Sequence, residues 1–301
     1  MGHKKKITKS QLTLLVMTIP SVLLLFLFAY LPMTGWIYSF FDYKIGYKLN
    51  MVEFVGLENF KYAFGNPYLV QVLLNTLVIS LLGFLGLPLA CAMAIFLSEI
   101  RNRRFTRIVQ TAVTLPNFIS WIIIFSIAFA LFSVDGLLNS ILMSVNLIRE
   151  PLNIFASVKY AWFFQAALAI WKTAGYNSII FFASIAGIDS DQYEAADIDG
   201  SGRWGKIRYI TIPALTPTLL TLLLIQVGFM LSNGFEQYYV FMNPIVQNRI
   251  EVLDYYVYRI GMLENDIPAS TAVSMTKTFL SVILLFSVNT FAKKTSGKAM
   301  I

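Results

Sequence analysis

The amino-acid sequence predicts an all-α, polytopic membrane protein with about six transmembrane helices, and two observations indicate this fold class. Of the 301 residues, 57% are hydrophobic and only 13% are charged, whereas soluble domains carry about 25% charged residues. The apolar residues are gathered into blocks of about 20 or more, the length that a helix needs to cross a bilayer. A large soluble core would not need such blocks, so the membrane interpretation is favoured.

The first block follows a lysine-rich N-terminus and runs from Leu12 to Phe41, interrupted by Pro20 and Pro32. It is too long for the apolar region of a signal peptide, and no small-residue cleavage site follows it. We therefore interpret it as an uncleaved span. Four further spans are predicted at residues 68–97, 107–132, 159–188 and 212–235.

The sixth span is the weakest prediction, because its apolar core, residues 279–291, is short. It can cross the membrane only if it begins near Ala269, which places Lys277 inside the membrane or at its edge. That lysine could extend its ammonium group to the interface or could line a pathway.

Basic residues predict the orientation, because cytoplasmic loops carry an excess of lysine and arginine. With the N-terminus inside, fourteen basic residues lie in inner segments: Lys4, Lys5, Lys6, Lys9, Arg101, Arg103, Arg104, Arg107, Arg203, Lys206, Arg208, Lys293, Lys294 and Lys298. Seven lie outside: Lys44, Lys48, Lys61, Arg149, Lys159, Arg249 and Arg259. Both termini are therefore predicted to be cytoplasmic. The net charge of +7 reflects topology and contact with membrane lipids, and no nucleic-acid partner is expected.

Catalytic chemistry has few candidate groups in this sequence. Cys91 is the only cysteine and His3 the only histidine, so neither an internal disulfide nor a cysteine or histidine metal cluster can form. A general base would have to be something other than histidine. The sequence predicts a chain that performs no covalent chemistry and holds no metal.

The segment 189–209 is the longer of the two predicted inner loops and is densely charged. Acidic residues come first and basic residues follow, which is typical of two short helices with favourable charges at their ends. Ser190 or Asp191 can cap the first helix, and Asp199-Gly200 favours a turn. A second helix is expected from Arg203 until Pro213 breaks it. The sequence predicts a helix-turn-helix that lies across the inner membrane face.

Two nucleotide-binding patterns in this segment are rejected. Gly200, Gly202 and Gly205 match G-x-G-x-x-G, and Gly200 to Lys206 matches most of a P-loop. The P-loop requires Ser or Thr after its lysine, where this chain has Ile207, and both motifs follow a buried strand. Here a hydrophilic helix precedes them, so nucleotide binding by this chain is not expected.

The same segment resembles the "EAA" signature of binding-protein-dependent ABC importer permeases. The matching residues are Glu194-Ala195-Ala196, Ile198-Asp199-Gly200 and Ile212-Pro213, with Ser201 where a small residue is usual. The resemblance covers about residues 56–292. Segments 170–178 and 234–237 are similar to sugar-type permeases that import oligo- and polysaccharides, including acidic polymers such as alginate. A permease subunit of an alginate importer is therefore suspected.

The resemblance implies a maltose-type ABC importer permease fold, with one permease domain over residues 1–301, a core at about 69–293 and a coupling loop at 189–209. It implies a pore subunit of an ATP-driven importer that moves an oligo- or polysaccharide across the bacterial cytoplasmic (inner) membrane. The implied partners are a homologous second permease, two ATPase subunits and an extracytoplasmic solute-binding protein.

The resemblance also assigns functional residues. ATP and Mg are expected on the ATPase, and no cofactor is expected on this chain, which would be non-catalytic. A coupling helix docks on the ATPase in this family, and the implied docking residues are Glu194, Ala195, Ala196, Asp199 and Gly200.

Sugar contacts are expected on two predicted spans. On the fifth, Gln226, Phe229, Met230 and Asn233 recur at i, i+3, i+4 and i+7, one face of a helix, and maltose-type relatives contact sugar at these positions when they are counted from Glu194. The fourth span offers a second group: Trp171, Lys172, Thr173, Tyr176 and Asn177. Interhelical hydrogen bonds and packing would explain the same residues. Lys172 could meet an acidic sugar, pair with Glu236 or pair with a partner subunit.

Two other function classes were weighed. An ion-coupled secondary sugar transporter is the main alternative, and it predicts acidic residues in the middle of spans. The acidic residues of this chain lie in loops or at span ends, which favours the importer. A membrane enzyme would need a cluster of catalytic residues, which the sequence does not offer.

Overall fold

The structure is a computed structural model that describes residues 9–296. Within that range the chain is helical, and the extended backbone pairs only in one isolated bridge between Phe41 and Phe54. The helices are α1 Lys9–Leu25, α2 Glu58–Gly65, α3 Pro67–Gly83, α4 Gly86–Ser98, α5 Arg103–Thr114, α6 Trp121–Phe132, α7 Leu137–Ser144, α8 Ala161–Ala186, α9 Ser190–Ile198, α10 Arg203–Lys206, α11 Ile212–Gly228, α12 Glu236–Phe241, α13 Gln247–Ile250, α14 Leu253–Tyr258 and α15 Ile267–Ser296. The all-α prediction is confirmed. Five residues used in the sequence predictions lie outside the described range: His3, Lys4, Lys5, Lys6 and Lys298.

Among the described residues, five helical segments are long and apolar enough to cross a membrane: Leu12–Phe40, Pro67–Ser98, Trp121–Ser144, Arg203–Gly228 and Ile267–Thr290. The remaining predicted span, the fourth at 159–188, corresponds to α8, whose 26 residues extend for about 39 Å at 1.5 Å per residue. That length suffices for a crossing. Its polar residues, among them Gln165 and Lys172, lower its hydropathy.

The predicted third span, 107–132, is wrong in its bounds, because the helix is interrupted at Pro116. α5 ends at Thr114, a short 3₁₀ turn covers Leu115–Phe118, and α6 begins at Trp121 with Ser120 as its N-cap. Proline lacks the N–H that a helix interior requires. The apolar segment therefore begins at Trp121 and includes α7.

The predicted fifth span, 212–235, is also displaced. One continuous helical segment covers α10, a π-helical turn at Ile207–Thr211 and α11, and it ends at Gly228. Pro213 does not break it, since the wider π-turn precedes the proline and changes the backbone hydrogen bonding there. The chain beyond Gly228 is not helical until α12.

The contacts divide the chain into two compact units. The described part of the first comprises residues 9–65 and 259–275. α1 continues there through a π-helical turn, Phe26–Tyr30, into a 3₁₀ segment, Leu31–Phe40. The Asn59 side chain donates hydrogen bonds to the carbonyls of Ser39 and Phe41, both at 3.0 Å, and so attaches α2 to the end of that segment.

The second unit comprises residues 66–258 and, in its described part, 276–296. Its core lies where α4 packs on α8. Gly86, Ala90 and Ala94 recur every four residues along α4 and are buried, so the two backbones can approach closely, as is common between membrane helices. Phe181 of α8 and Leu215 of α11 complete this apolar cluster.

Asn75 fastens α3 to the segment around α13 in the same unit. Its amide nitrogen donates to the carbonyls of Asn248 and Glu251, both at 3.0 Å, and its oxygen accepts from Trp162 Nε1 at 3.1 Å. Asn75 is fully buried. These bonds give a partner to one carbonyl within the four-residue helix α13 and to that of Glu251, the residue after it, as buried polar groups require.

Candidate functional site

The segment after α11 gives one predicted group of sugar contacts its geometry. Residues 229–231 form a turn, residues 232–235 are irregular, and Gly234 has a φ of +85°, a conformation that favours glycine. Phe229, Met230 and Asn233 therefore do not lie on a helix face, and the predicted i, i+3, i+4, i+7 stripe is wrong beyond Gln226. A non-helical backbone at this depth is tolerated where it lines a cavity.

The unwound segment does line a cleft of about 320 Å³ between α3, α8 and α11. The cleft brings together five of the predicted pathway residues: Thr173, Gln226, Phe229, Met230 and Asn233. Ser80 and Gln237 also line it, and both were missed. The only sequence signal for them is a polar residue in an apolar block, a signal that many structural residues share.

Most polar side chains in this cleft already have protein partners. Asn233 accepts from Ser80 Oγ at 2.9 Å and donates to the Thr76 carbonyl at 3.3 Å. Gln237 donates to Gln165 Oε1 at 2.8 Å. These side chains hold the cleft in shape, which agrees with the structural alternative that the sequence left open.

Gln226 is different. Its Oε1 atom is buried and has no hydrogen-bond partner within the described residues. A buried acceptor without a partner is unfavourable by about 1–3 kcal/mol, and a ligand hydroxyl in the cleft would satisfy it. The exposed Phe229 ring lines the same cleft, so the residue with the unpaired acceptor and an apolar ring belong to one lining.

The remaining α8 residues of the predicted pathway do not line this cleft. Trp171 lines a separate apolar cavity of about 350 Å³ that includes Ile124 and Phe164. Tyr176 is half exposed and contacts Phe118 edge to face at 6.2 Å. Asn177 is only partly buried and is absent from the cleft lining.

Lys172 connects α8 to the break after α5. Its ammonium group donates to the carbonyls of Pro116 at 3.2 Å and Asn117 at 3.1 Å, and also to the carbonyl of Ile119. The Trp121 ring centroid is 5.4 Å from the same nitrogen. An ammonium group has three N–H donors, and these three carbonyls take all of them; the Pro116 carbonyl also accepts from the Ile119 N–H at 3.2 Å.

Lys277 has a carboxylate partner. It forms an ion pair with Asp254, and both side chains are 18% exposed. The other oxygen of Asp254 accepts from the Gly234 N–H at 3.0 Å. The pair therefore fixes the end of the unwound segment next to Asn233, and neither charged residue lines the cleft.

The coupling loop is built around α9. The Asp189 side chain, rather than the predicted Ser190 or Asp191, caps this helix by accepting from Asp191 N–H at 3.1 Å. Gly200, at a φ of +73°, ends it, and the Ser201 N–H donates to the Ala196 carbonyl at 2.8 Å. This is a Schellman C-cap.

The predicted docking residues are accessible on this helix. No residue of α9 is buried. Glu194, Ala195, Asp199 and Gly200 are exposed and Ala196 is partly exposed. Two contacts attach α9 to the following helical segment: Tyr193 Oη lies 2.9 Å from Thr211 Oγ1, and Lys206 pairs with Asp197 at 2.5 Å.

Three large apolar residues of the same loop were missed as candidates. Ile198 is 88% exposed, Trp204 73% and Tyr209 74%. They could have been found as apolar residues within a charged segment. Such exposed groups are typical of a surface that another molecule covers.

Comparisons with known proteins agree with one family. The family described as "Binding-protein-dependent transport system inner membrane component" matches residues 86–297. Protein LplB of Bacillus subtilis (strain 168) is 36% identical over 93% of this chain and 88% of its own length. The polygalacturonan/rhamnogalacturonan transport system permease protein YteP of the same organism is 34% identical over the same shares.

A solved structure has the same fold. The crystal structure of a bacterial alginate ABC transporter in complex with an alginate pentasaccharide-bound periplasmic protein includes a chain that superposes with a TM-score of 0.87. The two chains are 27% identical, and the match covers 97% of each.

Proposed function

Because this chain belongs to the family of binding-protein-dependent transport system inner membrane components, as a multi-pass permease subunit of a sugar-importing ABC transporter, we propose that it passes an oligosaccharide through the cleft at Gln226. The ion-coupled alternative is set aside with the family membership. The single observation that carries the proposed route is the unpaired Gln226 Oε1 beside Phe229 in a cleft of about 320 Å³. Sugar-sized sites combine apolar walls with a few convergent polar groups.

The substrate class that we propose is an oligosaccharide cut from an acidic polymer. YteP is named for polygalacturonan and rhamnogalacturonan, and the solved transporter for alginate. The cleft lining contains no charged side chain among the described residues, and the Lys172 ammonium is already bonded. This subunit would therefore contact sugar hydroxyls and ring faces, while carboxylates would be recognised elsewhere in the assembly.

The partners that we propose are a homologous second permease, two ATPase subunits and an extracytoplasmic solute-binding protein, in a bacterial cytoplasmic membrane. ATP hydrolysis would take place on the ATPase and not on this chain. Exposed α9, with Glu194 and Ala195 at its surface, would insert into the ATPase. Ile198 and Trp204 would add apolar contacts to that surface.

The substrate proposal is tested by uptake of two matched labelled oligomers, a trigalacturonate and a neutral trigalactoside, in cells that express the whole transporter. We expect uptake of the acidic oligomer, and a higher apparent KM for it in Gln226→Leu. Uptake of the neutral oligomer alone would contradict the acidic class. An unchanged KM in Gln226→Leu would contradict the route.

A further inference from the structure

A groove of about 550 Å³ lies between the end of α4, the start of α5 and the end of α8. Its polar side carries three guanidinium groups, from Arg101, Arg103 and Arg107. Its apolar side is formed by Leu97, Phe182 and Ile185. The groove is separate from the cleft at Gln226 and shares no lining residue with it.

The three arginines form no salt bridge within residues 9–296 of the chain. The salt bridges in that range involve Lys206, Arg259 and Lys277 instead. The nearby polar groups are otherwise used, since Ser98 Oγ donates to the Ile95 carbonyl and Thr106 Oγ1 to that of Asn102. The groove therefore presents unneutralised positive charge.

α5 directs its polar face toward this groove. Arg103, Thr106, Arg107 and Gln110 recur at i, i+3, i+4 and i+7, and all four line it. The apolar face points away, with Phe105 52% and Ile108 67% exposed. A membrane-surface helix normally buries its apolar face against protein or lipid, so the polar stripe here is turned toward the protein and needs a polar, anionic occupant.

We propose that the groove binds the headgroup of an anionic phospholipid, such as phosphatidylglycerol. Arginine forms paired hydrogen bonds with phosphate oxygens, and basic pockets between transmembrane helices at the cytoplasmic side are suited to anionic lipids. The charge distribution predicts that this end of α4 and α8 is cytoplasmic. Arg103 lies in the first turn of a 12-residue helix, where the helix dipole also favours an anion.

The apolar side of the groove distinguishes a lipid from a soluble anion. Leu97 lies in the last turn of α4, and Phe182 and Ile185 belong to the last turns of α8, so the arginines share the groove with side chains of membrane-crossing helices. A phospholipid can place its phosphate on the arginines and its acyl chains along these side chains. Inorganic phosphate or a soluble uronate has no group for the apolar side.

The test uses the whole purified transporter in nanodiscs of equal phosphatidylglycerol and phosphatidylcholine, followed by quantification of the lipids retained after detergent washing. In Arg103→Gln/Arg107→Gln we expect the retained phosphatidylglycerol to fall, by about fivefold for each arginine removed. Arg104→Gln/Lys293→Gln removes the same charge from exposed residues that do not line the groove. This control should retain as much phosphatidylglycerol as the unaltered transporter.

Each other outcome contradicts the lipid site. An equal loss in both double variants would show a general charge effect, and no loss in either would show that the groove binds no lipid. Arg107→Lys, which keeps the charge, should retain most of the lipid if folding is intact. Displacement of phosphatidylglycerol by inorganic phosphate or by oligogalacturonate at equal ionic strength would assign the groove to a soluble anion instead.

Discussion

Lys172 shows how a single charged residue can be accommodated inside a membrane protein without a carboxylate. The broken third span leaves carbonyl groups at Pro116, Asn117 and Ile119, and the ammonium group of Lys172 takes all three. The end of a helix carries partial negative charge, which favours a cation there. We therefore expect the lysine to act as a structural cap of the break rather than as a ligand for an acidic sugar.

We expect Lys172→Met to lower the free energy of unfolding by about 2–4 kcal/mol, because three charged hydrogen bonds are lost and the Asn117 and Ile119 carbonyls lose this donor, while the Pro116 carbonyl keeps the Ile119 N–H. The apparent KM for an acidic oligosaccharide should stay unchanged in the variant that still inserts. Thermal unfolding of the purified transporter and uptake kinetics measure the two effects. Lys159→Met is the matched control, since Lys159 is exposed and its ammonium group lies over the Tyr160 ring, 5.3 Å from the ring centroid. A large rise in KM with normal stability would restore the sugar-binding role.

Gln226 and Asn233 line the same cleft but should respond differently to substitution. Gln226→Leu removes an acceptor that has no partner, so we expect little change in melting temperature and a rise in KM of about tenfold, the value of one hydrogen bond. Asn233→Leu removes bonds to Ser80 and Thr76 and should destabilise the protein by about 2–3 kcal/mol. Melting curves and uptake kinetics of both variants provide the comparison. The same pattern in both variants would contradict this division of roles.

The sequence identified five of the residues that line the cleft, but it did not show which are free to bind a ligand. Gln226 and Asn233 are both polar residues at the end of an apolar block and look equivalent in a hydropathy profile. Their difference depends on Ser80, about 150 residues earlier in the chain. Such a contact has no local pattern in the sequence.

At the scale of helices, Lys172 and Gly175, one turn apart on α8, attach this helix to α5 and to the turn after it. Lys172 binds the carbonyls after α5, and Gly175 allows the α5 backbone to approach closely. A Cβ atom built on Gly175 would lie 1.9 Å from the Val113 carbonyl oxygen. A side chain of any size therefore cannot fit there without separating the two helices.

Gly175→Ala should consequently destabilise the protein by about 3 kcal/mol or more, at the upper end for overpacked cores. The effect would be measured as loss of folded transporter by size-exclusion chromatography and as a lower melting temperature. Gly86→Ala is the control, because its Cβ would meet Ile170 at an ordinary 3.5 Å. If both variants melt alike, the close contact of α5 with α8 is not present in the protein.

The helices themselves were predictable to different degrees. Hydropathy located the second and sixth spans within a few residues, because burial in lipid requires long apolar segments. It placed the third span wrongly, because Pro116 lies among apolar residues. Hydropathy averaged over a window does not detect the one backbone N–H that proline lacks and that interrupts the helix. It also extended the fifth span past Gly228, where a break in the helix leaves the apolar pattern intact.

At the scale of the whole molecule, the proposed function requires the ATPase subunits to act on a rigid part of this chain. α9 meets this requirement, since a side-chain cap, a Schellman motif and the Tyr193 and Asp197 contacts hold it in place. The exposed Glu194 side chain takes part in none of these contacts. Glu194 can therefore be changed without unfolding the helix that carries it.

The last prediction follows from this separation. We expect Glu194→Lys to leave insertion and melting temperature unchanged, because Glu194 is exposed and no bond of its side chain holds α9 in place. The ATPase should no longer co-purify with the variant, or substrate should no longer stimulate ATP hydrolysis, since reversing an interfacial charge disfavours the complex.

Glu53→Lys makes the same change of charge on a residue that is exposed and predicted to lie outside the membrane. It should retain the ATPase, which separates an effect at the coupling surface from one of net charge. Loss of the ATPase in Glu53→Lys but not in Glu194→Lys would reverse the predicted orientation, because the basic residues that predict it would then face the wrong side. If the ATPase co-purifies with both variants, α9 is not the surface on which the ATPase acts.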